Sequence, residues 1–226
     1  HFDSKGVSLS GFGLTYQGDF AETMMHRVTN GRLQHEMLVK AASSEKEGRK
    51  AIDATAGMGE DAFLLAAQGY EVTLYEQNPV VAALLKDAIR RAKKNQILKD
   101  IAGRMKVVEA DSVESMSKLL DPVDVIYLDP MFPERRKSAA VKKKFQLIHH
   151  LEAPCQNEGA LLAAAISAGP RKVVVKRPAK GPHLAGVKPS HSLAGKALRR
   201  HHPRKHKGTA RVSSRRFSLA QPPSAR

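Results

Sequence analysis

The chain has one cysteine, Cys155, no tryptophan, and 5% aromatic residues among its 226. A lone thiol cannot close an intramolecular disulfide or, by itself, hold a metal. Cys155 sits in Ala153-Pro154-Cys155-Gln156 with no evident base beside it, which argues against a catalytic thiolate. The ten histidines form no H-E-x-x-H pattern, so no metal is expected. No apolar run approaches the roughly 20 residues of a membrane span, and no amphipathic anchor, internal repeat or signal sequence is evident. The most telling absence is of acid. Asp and Glu stop at Glu158: residues 159–226 carry 16 Lys and Arg and no carboxylate, whereas residues 1–158 carry 22 of each sign. The net charge of +16 therefore belongs to one end of the chain and points to an anionic partner, RNA before membrane.

A repeating unit of apolar run, turn and amphipathic stretch is present. Ala51-Ile52-Asp53 reads as a strand entering the turn Ala54-Thr55-Ala56-Gly57-Met58-Gly59, which runs into a helix from Glu60 and Asp61. Gly57 and Gly59 let backbone approach a ligand, and a helix start offers unpaired N–H groups. A second strand, Tyr70 to Tyr75, ends at Glu76. Asn78-Pro79 then opens a helix over Val80 to Lys94, with Val81, Leu84, Leu85 and Ala88 at helical spacing. A third strand, Met105 to Val108, runs into Glu109-Ala110-Asp111-Ser112. An acid past each strand end suits a nucleoside: Glu76 can accept from ribose hydroxyls and Asp111 from an adenine amine. Each acid alone also reads as a solvated loop charge.

The fourth run, Val123 to Leu128, is followed by Asp129-Pro130-Met131-Phe132-Pro133. In open α/β sheets, ligands bind beyond the carboxyl ends of such buried strands. A carboxylate accepts from an exocyclic amine, proline holds a sharp turn, and an aromatic face stacks a base for about 1–3 kcal/mol. Alone, the same residues also read as an ordinary proline turn.

Four segments resemble the motifs of class I S-adenosylmethionine-dependent methyltransferases. They are Asp53 to Asp61, Tyr75 to Leu85, Tyr127 to Pro133, and Val173-Val174-Val175-Lys176-Arg177-Pro178. Their combination closely resembles the ribosomal RNA small subunit methyltransferase J family, which methylates guanine N2 in 16S ribosomal RNA, over about Gly18 to Lys196. The resemblance implies an α/β, Rossmann-like class I methyltransferase with a mostly parallel seven-stranded sheet, helices on both faces, and a small N-terminal lobe containing a hairpin. It implies S-adenosylmethionine as cofactor, with contacts at Glu60, Asp61, Glu76, Gln77, Asp111, Ser112 and Asp129 around the Asp53, Gly57 and Gly59 turn. Glu60 and Gln77 depart from the family pattern, in which arginine is common at both places.

The resemblance further implies that Asp129 and the Pro130 carbonyl accept the guanine N2 hydrogens while Phe132 stacks the base. The implied partner is 16S ribosomal RNA or the small ribosomal subunit, and the implied compartment is the cytoplasm. Arg135, Arg136, Lys137, Lys142, Lys143 and Lys144 follow the base-binding motif and are candidates for flanking phosphates. Lys176 and Arg177, expected after a fifth strand over Arg171 to Lys176, are candidates for the same RNA surface.

The expected organisation is a small lobe over residues 1–45, a methyltransferase domain over 46–199 and an atypical basic tail over 200–226. Val7 to Tyr16 alternates as a short hairpin, and His26-Arg27, Gly31-Arg32 and Lys40 are candidates for the substrate side or ordinary surface charge. His1 in place of an initiator Met suggests a trimmed or incomplete chain. No alternating apolar strand is evident in the tail. It reads either as a basic arm docking on RNA or, by a small margin, as the product of a reading-frame change that removed or shortened the last strand. Two other classes remain at this point: an NAD-dependent oxidoreductase on a similar sheet, and a non-catalytic RNA-binding module. The first leaves Asp129 to Phe132 unexplained; the second has no need of the acids.

Overall fold

The computed structural model describes residues 1–43, 49–131, 147–148, 151, 155, 157–178, 181–194 and the backbone of 215–220. Two hairpins come first: β1 (Phe2–Asp3) with β2 (Gly6–Val7), and β3 (Leu9–Gly11) with β4 (Leu14–Tyr16). The second has the predicted hairpin shape. Phe12 and Gly13 link its strands with φ of 51° and 70°, the positive pair that matches the twist of a two-residue hairpin. Three short helices follow: α1 (Phe20–Thr23), α2 (Met25–Thr29) and α3 (Met37–Ala42).

The main sheet then builds outward from its centre. Strands β5 (Lys50–Asp53), β6 (Glu71–Glu76), β7 (Met105–Glu109), β8 (Val125–Leu128) and β9 (Lys172–Pro178) pair in parallel in the order β7-β6-β5-β8-β9. Between them run α4 (Glu60–Ala67), α5 (Pro79–Ala92), α6 (Lys99–Gly103), α7 (Ser112–Ser117) and α8 (Glu158–Ser167). The chain leaves β5 toward β6 and β7, then returns to lay β8 on the other side of β5. This reversal opens a crevice at the carboxyl ends of β5 and β8, where ligands of open α/β sheets bind.

Strand alternation divides the core between the two faces. Ala51, Val125, Tyr127 and Val174 pack on one face with Phe63, Leu65 and Leu85; Ile52, Ile126, Leu128, Val173 and Val175 pack on the other with Leu161 and Leu162. All four residues of β8 are buried, as a central parallel strand requires. Helix α5 starts where proline and asparagine predict. Asn78 accepts from the Val80 and Val81 N–H groups at 3.0 and 3.3 Å, with Pro79 at the first turn, and Val81, Leu84, Leu85 and Ala88 form its buried stripe.

Residues 20–42 share the main core, while Val7, Leu9, Leu14 and Tyr16 of the hairpins pack in a smaller cluster with Leu84. Phe20, Met24, Leu38, Val39, Ala41 and Ala42 are buried in the same cluster as β5 and α4, and Phe20 stacks on Phe63 with ring centroids 4.6 Å apart. Burying Phe20 contributes about 1.5–3 kcal/mol to that attachment. Arg91 of α5 reaches Asp19 at 3.2 Å and the Gly18 carbonyl, tying the segment to the sheet domain from a second side.

The expectation of a tail without a closing strand is corrected. Backbone of β11 (Arg215–Ala220) pairs antiparallel with β9 on one side and with β10 (His191–Ala194) on the other, completing a seven-stranded sheet in the order β10-β11-β9-β8-β5-β6-β7. The alternation of Phe217 and Leu219 with Arg216 and Ser218 is the sequence signal for it.

Candidate active site

At the end of β5 the chain turns through Gly57 (φ 50°) and Gly59 (φ 74°) into α4. Gly59 is needed sterically as well as conformationally, because a Cβ there would lie 2.7 Å from Leu85 Cδ1. Glu60 and Asp61 occupy the first helical turn, where the helix dipole favours negative charge. At the end of β6, Glu76 holds two loops together: its carboxylate accepts from the Gly57 N–H at 3.0 Å and from the Asn78 N–H at 2.8 Å. Burial raises the Glu76 carboxyl above its ordinary range despite those bonds. Beyond β7, Asp111 caps α7, accepting at Oδ1 from Val113 and Glu114 at 2.7 and 3.0 Å.

A cluster of charge lies beneath the crevice. Asp53 is buried, with Oδ1 receiving the Thr55 N–H at 3.0 Å. Burial pushes its carboxyl up to about 8, so Asp53 is neutral near pH 7. Asp61 receives the Tyr127 hydroxyl at 2.6 Å and the Lys176 ammonium at the same oxygen, Oδ2. Burial raises the Asp61 carboxyl, but Lys176, Tyr127 and Arg27 together outweigh it, leaving the group below its ordinary range. Asp129 donates its backbone N–H to Thr55 Oγ1 at 2.7 Å, and its side-chain Oδ2 lies 2.8 Å from Lys176 Nζ. Asp129 is the most open of the group, its side chain 36% exposed against 20% for Asp61 and 15% for Lys176.

These groups line a single cavity of about 1090 Å³, ample for a nucleoside-sized ligand and a second molecule beside it. Asp53, Gly57, Gly59, Glu60, Asp61, Glu76, Gln77, Asp111, Ser112, Asp129 and Pro130 all contribute to its wall, so the residues expected to hold a cofactor and those expected to hold a target are brought together. The wall is suited to S-adenosylmethionine on its own chemistry. A glycine turn admits backbone approach, Glu76 can accept from a ribose diol while retaining its two N–H bonds, and Asp111 can accept from an adenine amine. Among the described residues, no helix is long and apolar enough to cross a membrane, and no group of three His, Cys, Asp or Glu is arranged to hold a metal.

Lys176 and Arg177 require a correction. The fifth strand runs on to Pro178, so Arg177 lies within β9 as Lys176 does, and alternation sends the two to opposite faces. Lys176 lines the cavity and is paired with two aspartates; Arg177 is 3% exposed and paired with Glu158 at the start of α8. Neither is an open phosphate contact. Phe132, Arg135, Arg136, Lys137, Lys142, Lys143 and Lys144 lie outside the described residues.

Sequence reasoning missed Thr55 and Tyr127, which hold Asp129 and Asp61, and the contribution of Glu36 and Leu38 to the wall. Arg27, a candidate for the substrate side, also lines the cavity. It pairs with Glu36 through two bonds of 3.0 and 2.9 Å, and its charge acts on Glu60. Tyr127 was hidden because it reads as one more apolar residue of a buried strand.

Comparison with known proteins agrees with this geometry. A family model described as "Putative SAM-dependent methyltransferase" matches residues 14–201. The chain is 43% identical over 184 residues to a protein of Pseudomonas fluorescens (strain Pf0-1) named ribosomal RNA small subunit methyltransferase J, spanning 80% of this chain and 71% of that one. Identity to the protein of the same name from Stutzerimonas stutzeri (strain A1501) is 44% over 184 residues, with the same coverage. The crystal structure of a SAM-dependent methyltransferase from Neisseria gonorrhoeae matches with a TM-score of 0.71 at 32% identity, covering 98% of this chain and 81% of that one.

Proposed function

Because the chain belongs to the ribosomal RNA small subunit methyltransferase J family of S-adenosylmethionine-dependent methyltransferases, we propose that it methylates the exocyclic N2 amine of one guanine in 16S ribosomal RNA. The observation that carries this reading is Asp129, fixed by Thr55 and Lys176 on the wall of the cavity that Glu76 and Asp111 also line. Membership of this family removes the reason to consider an NAD-dependent oxidoreductase or a non-catalytic RNA-binding module.

The cofactor, when bound, supplies a methyl carbon made electrophilic by its sulfonium. Glu76 and Gln77 would hold its ribose, Asp111 and Ser112 its adenine, and the Gly57 to Asp61 turn the remainder. Guanine N2 is a weak nucleophile, since its lone pair is delocalised into the ring, so the protein's task is alignment. Asp129 and the Pro130 carbonyl accept the two N2 hydrogens and thereby aim the nitrogen. Positive charge developing on nitrogen is stabilised by the Asp129 carboxylate, a group already in place before the reaction. The proton that N2 loses leaves along its hydrogen bond to Asp129. Phe132 stacks the base in this reading, and the basic clusters at 135–137 and 142–144 contact flanking phosphates. Residues 159–226 carry 16 Lys and Arg and no acid of their own; Arg171, Lys176 and Arg177 pair with acids elsewhere in the chain, and the remaining excess of positive charge favours an RNA partner.

The test compares wild-type protein with Asp129→Ala in transfer of labelled methyl to small-subunit RNA lacking the modification. D129A should keep its fold and most of its cofactor affinity while losing turnover by about 10³-fold or more, the scale of a lost charge-stabilising group together with lost alignment. Near-normal turnover in D129A would overturn this mechanism.

A further inference from the structure

Three carboxylates, Asp53 of β5, Asp61 of α4 and Asp129 beyond β8, lie together under the crevice, and Lys176 of β9 is in contact with two of them. A lysine that served only to meet RNA phosphate would be expected on open surface, where its charge stays hydrated. Lys176 is instead 15% exposed, and its ammonium lies within hydrogen-bond reach of both carboxylates. Burial lowers its pKa, yet Asp61 and Asp129 more than compensate and hold it above its ordinary range. The lysine is therefore a fixed cation joining the first turn of α4, on the cofactor side, to the strand end that meets the target. Resting on the guanine-N2 reading above, we propose that Lys176 is the positioning residue of the reaction: it sets the Asp129 carboxylate at the target amine and keeps it in the acceptor state.

Groups from several elements face this ammonium. Asp53 comes from β5, Asp61 from α4 with Arg27 of α2 acting on it, and Tyr127 and Asp129 from β8 and its end. Glu60 of α4 also feels this ammonium, Asp61 and Arg27, with burial raising its carboxyl; Asp53 is neutral near pH 7, so the charges in direct contact are one ammonium and two carboxylates. Removing the ammonium leaves Asp61 and Asp129 facing one another without a cation. Repulsion then favours protonation of one of them, and the Asp129 side chain loses the contact that orients it.

The experiment measures kcat, KM for small-subunit RNA and the pH profile of methyl transfer for wild type, Lys176→Met, Lys176→Gln and Lys176→Arg, with thermal melting and cofactor binding as controls. Lys176→Met is expected to lower kcat by about 100-fold, the scale of a misaligned reacting group, with little change in RNA KM and with the acid limb of the profile moved to higher pH. Lys176→Arg is expected to recover part of kcat and the wild-type acid limb, since it keeps the charge with a different fork. A raised RNA KM with a reduced salt slope, kcat at saturating RNA being normal, would make the lysine a phosphate contact and overturn the proposal. Lys176→Gln keeps donors without charge and decides the question if Lys176→Met does not fold. Failure of both to fold would also overturn it, by making the lysine a structural requirement. Absence of guanine-N2 methylation by the wild-type protein would instead count against the functional reading.

Discussion

Replacing Asp53 by Asn should stabilise the protein at neutral and alkaline pH while doing little in acid. Asp53 is 1% exposed, and burial raises its carboxyl from an ordinary 3.8 to about 8. Between those two values the native state holds a proton that the unfolded chain has released. Stability is then greatest below the lower value and declines as pH rises through the upper one. At about 1.4 kcal/mol per unit over about four units, the cost of keeping Asp53 buried reaches roughly 4–7 kcal/mol above pH 8, a large share of an ordinary domain's stability. Asn is nearly isosteric with the neutral acid, and its side-chain oxygen can still take the Thr55 N–H. Urea unfolding followed by circular dichroism, suited to a chain without tryptophan, gives the free energy for both proteins from pH 4 to pH 9. The D53N advantage should grow with pH by several kcal/mol across that range. An advantage that stays flat, or a variant less stable than wild type at pH 8, would mean that the native carboxylate is ionised and would refute the reasoning. Asp61, whose lowered carboxyl works in the opposite sense, is present in both proteins, so the difference reports Asp53 together with its coupling to Asp61.

Two further substitutions probe the two faces of the sheet. Glu76→Ala removes the acceptor of the Gly57 and Asn78 N–H groups and of the ribose, so the dissociation constant for S-adenosylmethionine should rise about 10–100-fold, read by calorimetry; unchanged affinity would exclude Glu76 from the cofactor site. Arg177→Met breaks the pair with Glu158 on the face opposite Lys176, and should cost about 1–3 kcal/mol of stability while leaving the salt dependence of RNA binding unaltered. A shallower salt slope in that variant would restore Arg177 to the RNA surface.

The parts of the site legible in the sequence are those at strand ends. A buried parallel strand announces itself as an apolar run, and the polar residues at its carboxyl end face the crevice; this is how Asp53, Glu76 and Asp129 could be named in advance, whereas Asp111 lies two positions past Glu109, which pairs with Lys86 instead. Glycines 57 and 59 were legible because positive φ leaves few other choices. Polar residues inside a strand were harder. Lys176-Arg177 reads as a basic patch, yet one side chain meets two aspartates across the cavity and the other is sealed against α8, partners that lie 115, 47 and 19 positions away in sequence. Tyr127 and Thr55 were missed for the same reason: their roles depend on residues brought near by the fold. Strand β11 was missed because its pairing with β9 and β10 is a backbone arrangement, carried in sequence only by two apolar residues amid basic and small ones.

The central claim, that this site presents guanine N2 for methylation, is tested most directly by the chemical identity of the product. Wild-type protein is incubated with methyl-labelled S-adenosylmethionine and small-subunit RNA lacking the modification, and the RNA is digested to nucleosides and resolved by mass spectrometry. The account predicts label in N2-methylguanosine. Label at a ring carbon, a ribose hydroxyl or another base would contradict it.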